Sequence, residues 1–134
     1  AFEPRLKVVV TSCGFTSLRK DDLPSWTGPR YMPRIAREFG NDIRKLPFDF
    51  PEILAAIAPR PVLACAATRD DDFDVSGVRD CLAAAQPIYR LLGQPDLLQA
   101  EYPDSLHDFP PESRQRAYAF LDKHLRGDVP KAGD

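Results

Sequence analysis

Pro59–Asp70, PRPVLACAATRD, decides the architecture. Within it Arg60–Ala67 is an almost unbroken apolar run that ends in the polar Thr68-Arg69-Asp70. A strand with water on one face alternates apolar and polar residues. A continuous run instead belongs to a strand covered on both faces, the condition of a parallel sheet flanked by helices. Leu6–Ser12 (LKVVVTS), closed by Cys13-Gly14, reads the same way, and Leu97–Tyr102 (LLQAEY) is a shorter third strand.

The stretches between the strands carry helical period. From Gly77 to Leu92 the apolar residues Val78, Leu82, Ala85, Ile88, Tyr89 and Leu92 repeat at helical spacing. Gly93 is the expected stop, and Pro87 is expected to kink the helix or to begin its final turns. A last helix opens at Pro111-Glu112, with Ala117, Tyr118, Phe120, Leu121 and Leu125 on one stripe. Shorter helices are expected at Arg34–Phe39 and Glu52–Ile57. Strand and helix in alternation give an α/β fold: a three-stranded, mostly parallel sheet with flanking helices. Residues 1–134 are read as one domain. Its rhythm is broken only between residues 15 and 50, where Trp26, Tyr31, Met32, Phe39, Phe48 and Phe50 stand among Gly, Pro and Arg. So long a connection, so rich in aromatics, is expected to be an insertion over the functional edge of the sheet, with the aromatics packing a long loop as the alternative reading; a pocket wall can be both.

Composition narrows the partners. Net charge is −2, with 43% hydrophobic and 28% charged residues and no Lys/Arg block. Neither nucleic acid nor an anionic membrane is an expected partner. No apolar stretch approaches the roughly 20 residues that span a bilayer. Three cysteines (Cys13, Cys65, Cys81) without C-x-x-C spacing and only two histidines argue against a disulfide framework and against a zinc site, so no metal and no cofactor are expected. Fourteen prolines punctuate loops and helix starts, and composition assigns no compartment.

Two loops carry the chemistry. Thr68–Asp74 (TRDDDFD) follows the second strand, and Tyr102–Pro110 (YPDSLHDFP) follows the third. Both leave the carboxyl ends of parallel strands and so open on one rim, where α/β sheets place their ligands. An acid on the first and His107 on the second can meet there. A carboxylate on one imidazole nitrogen fixes the tautomer and leaves the other nitrogen to take a proton from a nucleophile. Asp70, Asp71 and Asp72 compete for the part of the acid, and caps for the following helix are the alternative use of such a run. His124 sits in the last turn of a helix, where a cation complements the dipole.

Pro59–Asp70 and Tyr102–Pro110 together resemble the acid and histidine segments of α/β-hydrolases. GPRYMPRIA (28–36), RDDDFDVSGV (69–78) and YRLLG (89–93) resemble a dienelactone-hydrolase and acetyl-xylan-esterase-like branch. The resemblance covers nearly the whole chain as the C-terminal part of that fold. It implies an ester hydrolase of the serine type, with Asp70 as triad acid, His107 as general base, a small-molecule ester as substrate, and Cys13, Phe15, Trp26 and Tyr31 beside the pocket. The nucleophile elbow G-x-S-x-G is absent from these residues, and Ala1–Arg5 resembles the end of the helix that follows it, so the serine is expected upstream of Ala1. Cys13 lacks elbow glycines, and Ser17-Leu18-Arg19-Lys20 matches S-x-x-K without its companion motifs. The alternative is a non-catalytic α/β module acting in binding or assembly. In either case the edge at Leu6–Ser12 is expected to be unpaired and open to another copy or a complementary fragment.

Overall fold

The computed structural model describes residues 1–126. Three parallel strands, β1 (Val9–Ser12), β2 (Val62–Cys65) and β3 (Leu98–Glu101), lie in the order β1-β2-β3. The helices are α1 (Pro33–Phe39), α2 (Phe50–Ile57), α3 (Val75–Leu91) and α4 (Pro111–Arg126). All three strands and all four helices stand where the sequence places them.

β2 is the centre, and its apolar run is explained by its two faces. Val62 and Ala64 pack with Leu54, Ile57, Val78, Cys81, Leu82, Ala85 and Tyr89 of α2 and α3. Leu63 and Cys65 point the other way, to Ala117 and Phe120 of α4. Every β2 residue is buried, so each pleat position removes apolar area from water, worth about 25 cal/mol per Å².

The element ends show what periodicity alone misses. α2 begins at Phe50, before the expected Glu52, because Asp49 and Glu52 form a capping box: the Asp49 carboxylate accepts from Phe50 N–H at 2.6 Å, and Asp49 N–H donates to Glu52 at 2.8 Å. α3 begins at Val75, where Asp74 accepts from Ser76 N–H at 2.7 Å. Pro87 lies inside α3, which runs on past it as one helix for one further turn to Leu91. The carbonyl that loses its donor belongs to Ala83, which is exposed, so it is left on the solvent side of the helix. Gly93 ends α3 as expected. With φ of 72° it turns the chain so that its own N–H and that of Gln94 reach the carbonyls of Arg90 and Tyr89 at 3.0 and 2.9 Å.

The segment between β1 and α2 is packed. Leu18, Leu23, Trp26 and Ile35 form a small core of their own, which Phe50 and Phe73 join to the rest. Asp49 fastens it: the buried carboxylate accepts from the Ser17 hydroxyl at 2.7 Å and from Leu18 N–H at 2.9 Å.

Candidate active site

Parallel pairing carries on past the strand ends and brings the two loops together. Ala66 N–H donates to the Glu101 carbonyl at 2.9 Å, Thr68 N–H to Pro103 at 2.9 Å and Arg69 N–H to Ser105 at 3.0 Å. Arg69 also pairs with Asp104 at 2.7 Å. Zipped in this way, the loops deliver Asp70 and His107 to one point.

His107 Nδ1 lies 3.0 Å from Asp70 Oδ1. The Asp70 side chain is 2% exposed, while the imidazole is 41% exposed. The same Asp70 oxygen accepts from Asp72 N–H at 2.9 Å and Phe73 N–H at 3.0 Å, so its own loop holds it in place. Of the rivals, Asp72 stands outside in solvent with a carboxylate oxygen 3.5 Å from Nδ1. Asp71 makes no ion pair or hydrogen bond with the ring among the described residues.

The electrostatics follow from these contacts. Burial raises the Asp70 pKa, but the Phe73 and Asp72 N–H groups, His107 and the Cys13 thiol outweigh it, leaving the carboxyl below its usual range. The hydrogen bond to Asp70 raises the His107 pKa despite partial desolvation, helped by the charges of Asp70, Asp72 and Asp71. With Nδ1–H on the carboxylate, the neutral ring carries its lone pair on Nε2, which no described residue bonds.

Cys13 enters the same site from the end of β1. Its N–H continues the sheet to the Cys65 carbonyl at 3.0 Å, its φ is 44°, and its thiol reaches the Asp108 carbonyl at 3.4 Å. Ligand atoms of Cys13, Asp70 and His107 all lie within 4.8 Å of one another. Desolvation and the Asp70 carboxylate raise the thiol pKa, so Cys13 is a poor nucleophile. Ser17 and Lys20 do not form a catalytic couple either: the hydroxyl is held by Asp49, and the amine pairs with Asp80 at 2.7 Å.

The aromatics divide. Phe15 is buried in the main core, stacked on Phe50 at 4.9 Å, and reaches the site only from beneath, beside Cys13 and Asp70. Trp26 is buried, with its indole N–H on Asp21, and packs at 5.3 Å against both the exposed Tyr31 and Phe73. Phe73, which the sequence reading did not single out, in turn lies 5.6 Å from the His107 ring. Its signal was its place in the acid loop. Trp26, Tyr31 and Phe73, with Asp21, Asp22, Asp71 and Asp72, line an open cavity of about 320 Å³ that meets His107 through Phe73 and Asp72. The insertion's arginines stay outside it: Arg34 pairs with Glu38 at 2.7 Å, and Arg37 is 70% exposed.

Comparison with known proteins adds the family. The family model for fungal glucuronyl esterases matches residues 21–93, which include Trp26 and Asp70 but not His107. The 4-O-methyl-glucuronoyl methylesterase 1 of Wolfiporia cocos is 31% identical over 94 residues, which are 63% of this chain and 21% of that protein. The chain thus spans about a fifth of that relative. Among solved structures, a carbohydrate esterase family 15 glucuronoyl esterase from Caldicellulosiruptor kristjansonii superposes with a TM-score of 0.81 at 27% identity, over 94% of this chain and 39% of that one. A glucuronoyl esterase from Solibacter usitatus shares the fold, with a TM-score of 0.69 at 18% identity over 91% and 37% of the two chains. The fold is therefore the C-terminal part of an α/β-hydrolase, as expected, whereas nothing in the comparisons supports the dienelactone-hydrolase and acetyl-xylan-esterase-like branch. With more than half of its residues matched, the chain belongs to the glucuronyl esterase family within the α/β-hydrolase superfamily.

Proposed function

We propose that this chain supplies the acid and the base of a serine-type esterase acting on esters of glucuronic acid, with the nucleophilic serine contributed by residues outside these 134. The observation that carries the reading is the 3.0 Å contact between His107 Nδ1 and the buried Asp70 carboxylate on adjacent strand ends. In this reading Nε2 takes the serine proton as the hydroxyl attacks the ester carbonyl. Asp70 stabilises the imidazolium so formed, and the same proton then passes to the departing alkoxide. The branch resemblance is retained only for its reaction class, attack on a carboxylic ester.

The cavity beside His107 suits a sugar ring. Trp26, Tyr31 and Phe73 offer apolar faces, and the four aspartates accept hydrogen bonds from hydroxyls. They also repel the free uronate, so a neutral ester is admitted and its charged product is expelled.

The test uses the intact protein that carries this chain. It is expected to be labelled by a fluorophosphonate and to hydrolyse the methyl ester of 4-O-methyl-glucuronate. His107→Ala should lower kcat/KM on the order of 1000-fold. Undiminished hydrolysis by His107→Ala overturns the assignment, and an intact protein that neither labels nor hydrolyses returns the non-catalytic module.

A further inference from the structure

Cys13, Asp70 and His107 come from three separate strand ends, yet their ligand atoms gather within 4.8 Å. A thiolate, a carboxylate and an imidazole are the ligand types of a zinc-group ion, which takes sulfur at about 2.3 Å and nitrogen or oxygen at about 2.0 to 2.2 Å. Three such bonds in tetrahedral array place ligand atoms about 3.5 Å apart, so from separations of up to 4.8 Å the cluster must contract by at most about 1.3 Å. His107, 41% exposed on the loop after β3, is the ligand with room to adjust, and its exposed side leaves a fourth position open to solvent. Asp70 is already held by two backbone N–H groups, and the Cys13 backbone is anchored to β2, so two of the three ligands are fixed before any ion arrives.

We propose that these three residues form a binding site for a thiophilic divalent cation of the Zn²⁺ and Cd²⁺ class. On binding, the Cys13 thiol gives its proton to solvent and its sulfur lone pair to the ion, Asp70 donates a carboxylate lone pair, and His107, its ring proton exchanged through solvent from Nδ1 to Nε2, donates the Nδ1 lone pair. No oxidation state changes. The site departs from the expectation of no metal, which rested on counting histidines and on C-x-x-C spacing and could not see ligands 57 and 37 residues apart in sequence brought onto one rim. The ion claims the groups that make the Asp70–His107 hydrogen bond, so occupancy and hydrolysis exclude each other. That consequence alone rests on the esterase reading.

Cd²⁺ reads the site without any ester. Titration of the intact protein with Cd²⁺ should produce a near-ultraviolet thiolate-to-metal band that saturates at one ion per chain and that Zn²⁺ displaces. The band should vanish in Cys13→Ser, and in Cys13→Ala should the serine variant not fold by far-ultraviolet circular dichroism. His107→Gln and Asp70→Asn should each weaken binding at least tenfold. No band in the wild type, a band that survives loss of the Cys13 thiol, or an affinity untouched by both His107→Gln and Asp70→Asn overturns the proposal. Hydrolysis measurements play no part in that outcome, so the esterase assignment stands or falls separately.

Discussion

Asp70 and His107 set each other's protonation, and the consequence is measurable in one titration. The imidazole should titrate above its ordinary value of about 6.5, and Asp70→Asn should bring it down, as followed by the ring resonances in NMR. The sign carries over to stability. A histidine with a raised folded pKa contributes fully below its unfolded value and loses that contribution as pH rises through the folded one. Asp70, held low, contributes above the usual carboxylate range and loses its contribution as pH falls through its own folded value. The stability lost in Asp70→Asn should therefore be largest at mildly acidic pH and shrink in both directions, as read from urea midpoints across a pH series. At this scale the sequence named the two loops that the structure brings into contact, but which of Asp70, Asp71 and Asp72 meets His107 depends on which carboxylate lies beneath its own loop's N–H groups. A run of three identical residues holds no such information.

Among the elements, strands and helices were legible because β2 had to be apolar throughout and α3 had to repeat at helical period. Their ends depended on single polar groups. Asp49 caps α2 and also satisfies Ser17 and Leu18 across the insertion, so one carboxylate joins two layers. Asp49→Ala should cost about 2 to 4 kcal/mol, the loss of a cap plus buried donors left unpaired, measured by denaturant unfolding. Gly77 marks a second junction. A Cβ there would collide with Thr16 Oγ1 and meet Ser17 N at 3.0 Å, so α3 lies against the insertion's backbone. Gly77→Ala should destabilise by about 1 to 3 kcal/mol, although alanine is the better helix former. That the insertion's aromatics pack was one reading the sequence offered, but which of them, Trp26, Phe50 and Phe73, knit it together follows from tertiary contacts without a sequence period.

For the molecule as a whole, the sheet is parallel with β2 at its centre, and among the described residues β1 pairs with β2 alone and shows its other edge. Val9 and Cys13 donate toward β2, so the alternation of the strand turns the N–H groups of Val10 and Ser12 to the free edge. In the 134-residue chain these two amides should exchange with deuterium far faster than those of β2, and the chain should self-associate with rising concentration. Equal protection at all β1 amides would contradict that edge. The rim beside this edge is where the account is most exposed, because everything proposed for hydrolysis passes through one carboxylate. The decisive measurement is kcat/KM for a glucuronate methyl ester by the intact protein carrying Asp70→Asn or Asp71→Asn. The account predicts a loss on the order of 1000-fold for Asp70→Asn and, for Asp71→Asn, no more than about tenfold, the loss of one acceptor in the cavity; an Asp70→Asn protein that keeps its rate, or an Asp71→Asn protein that loses as much, contradicts it.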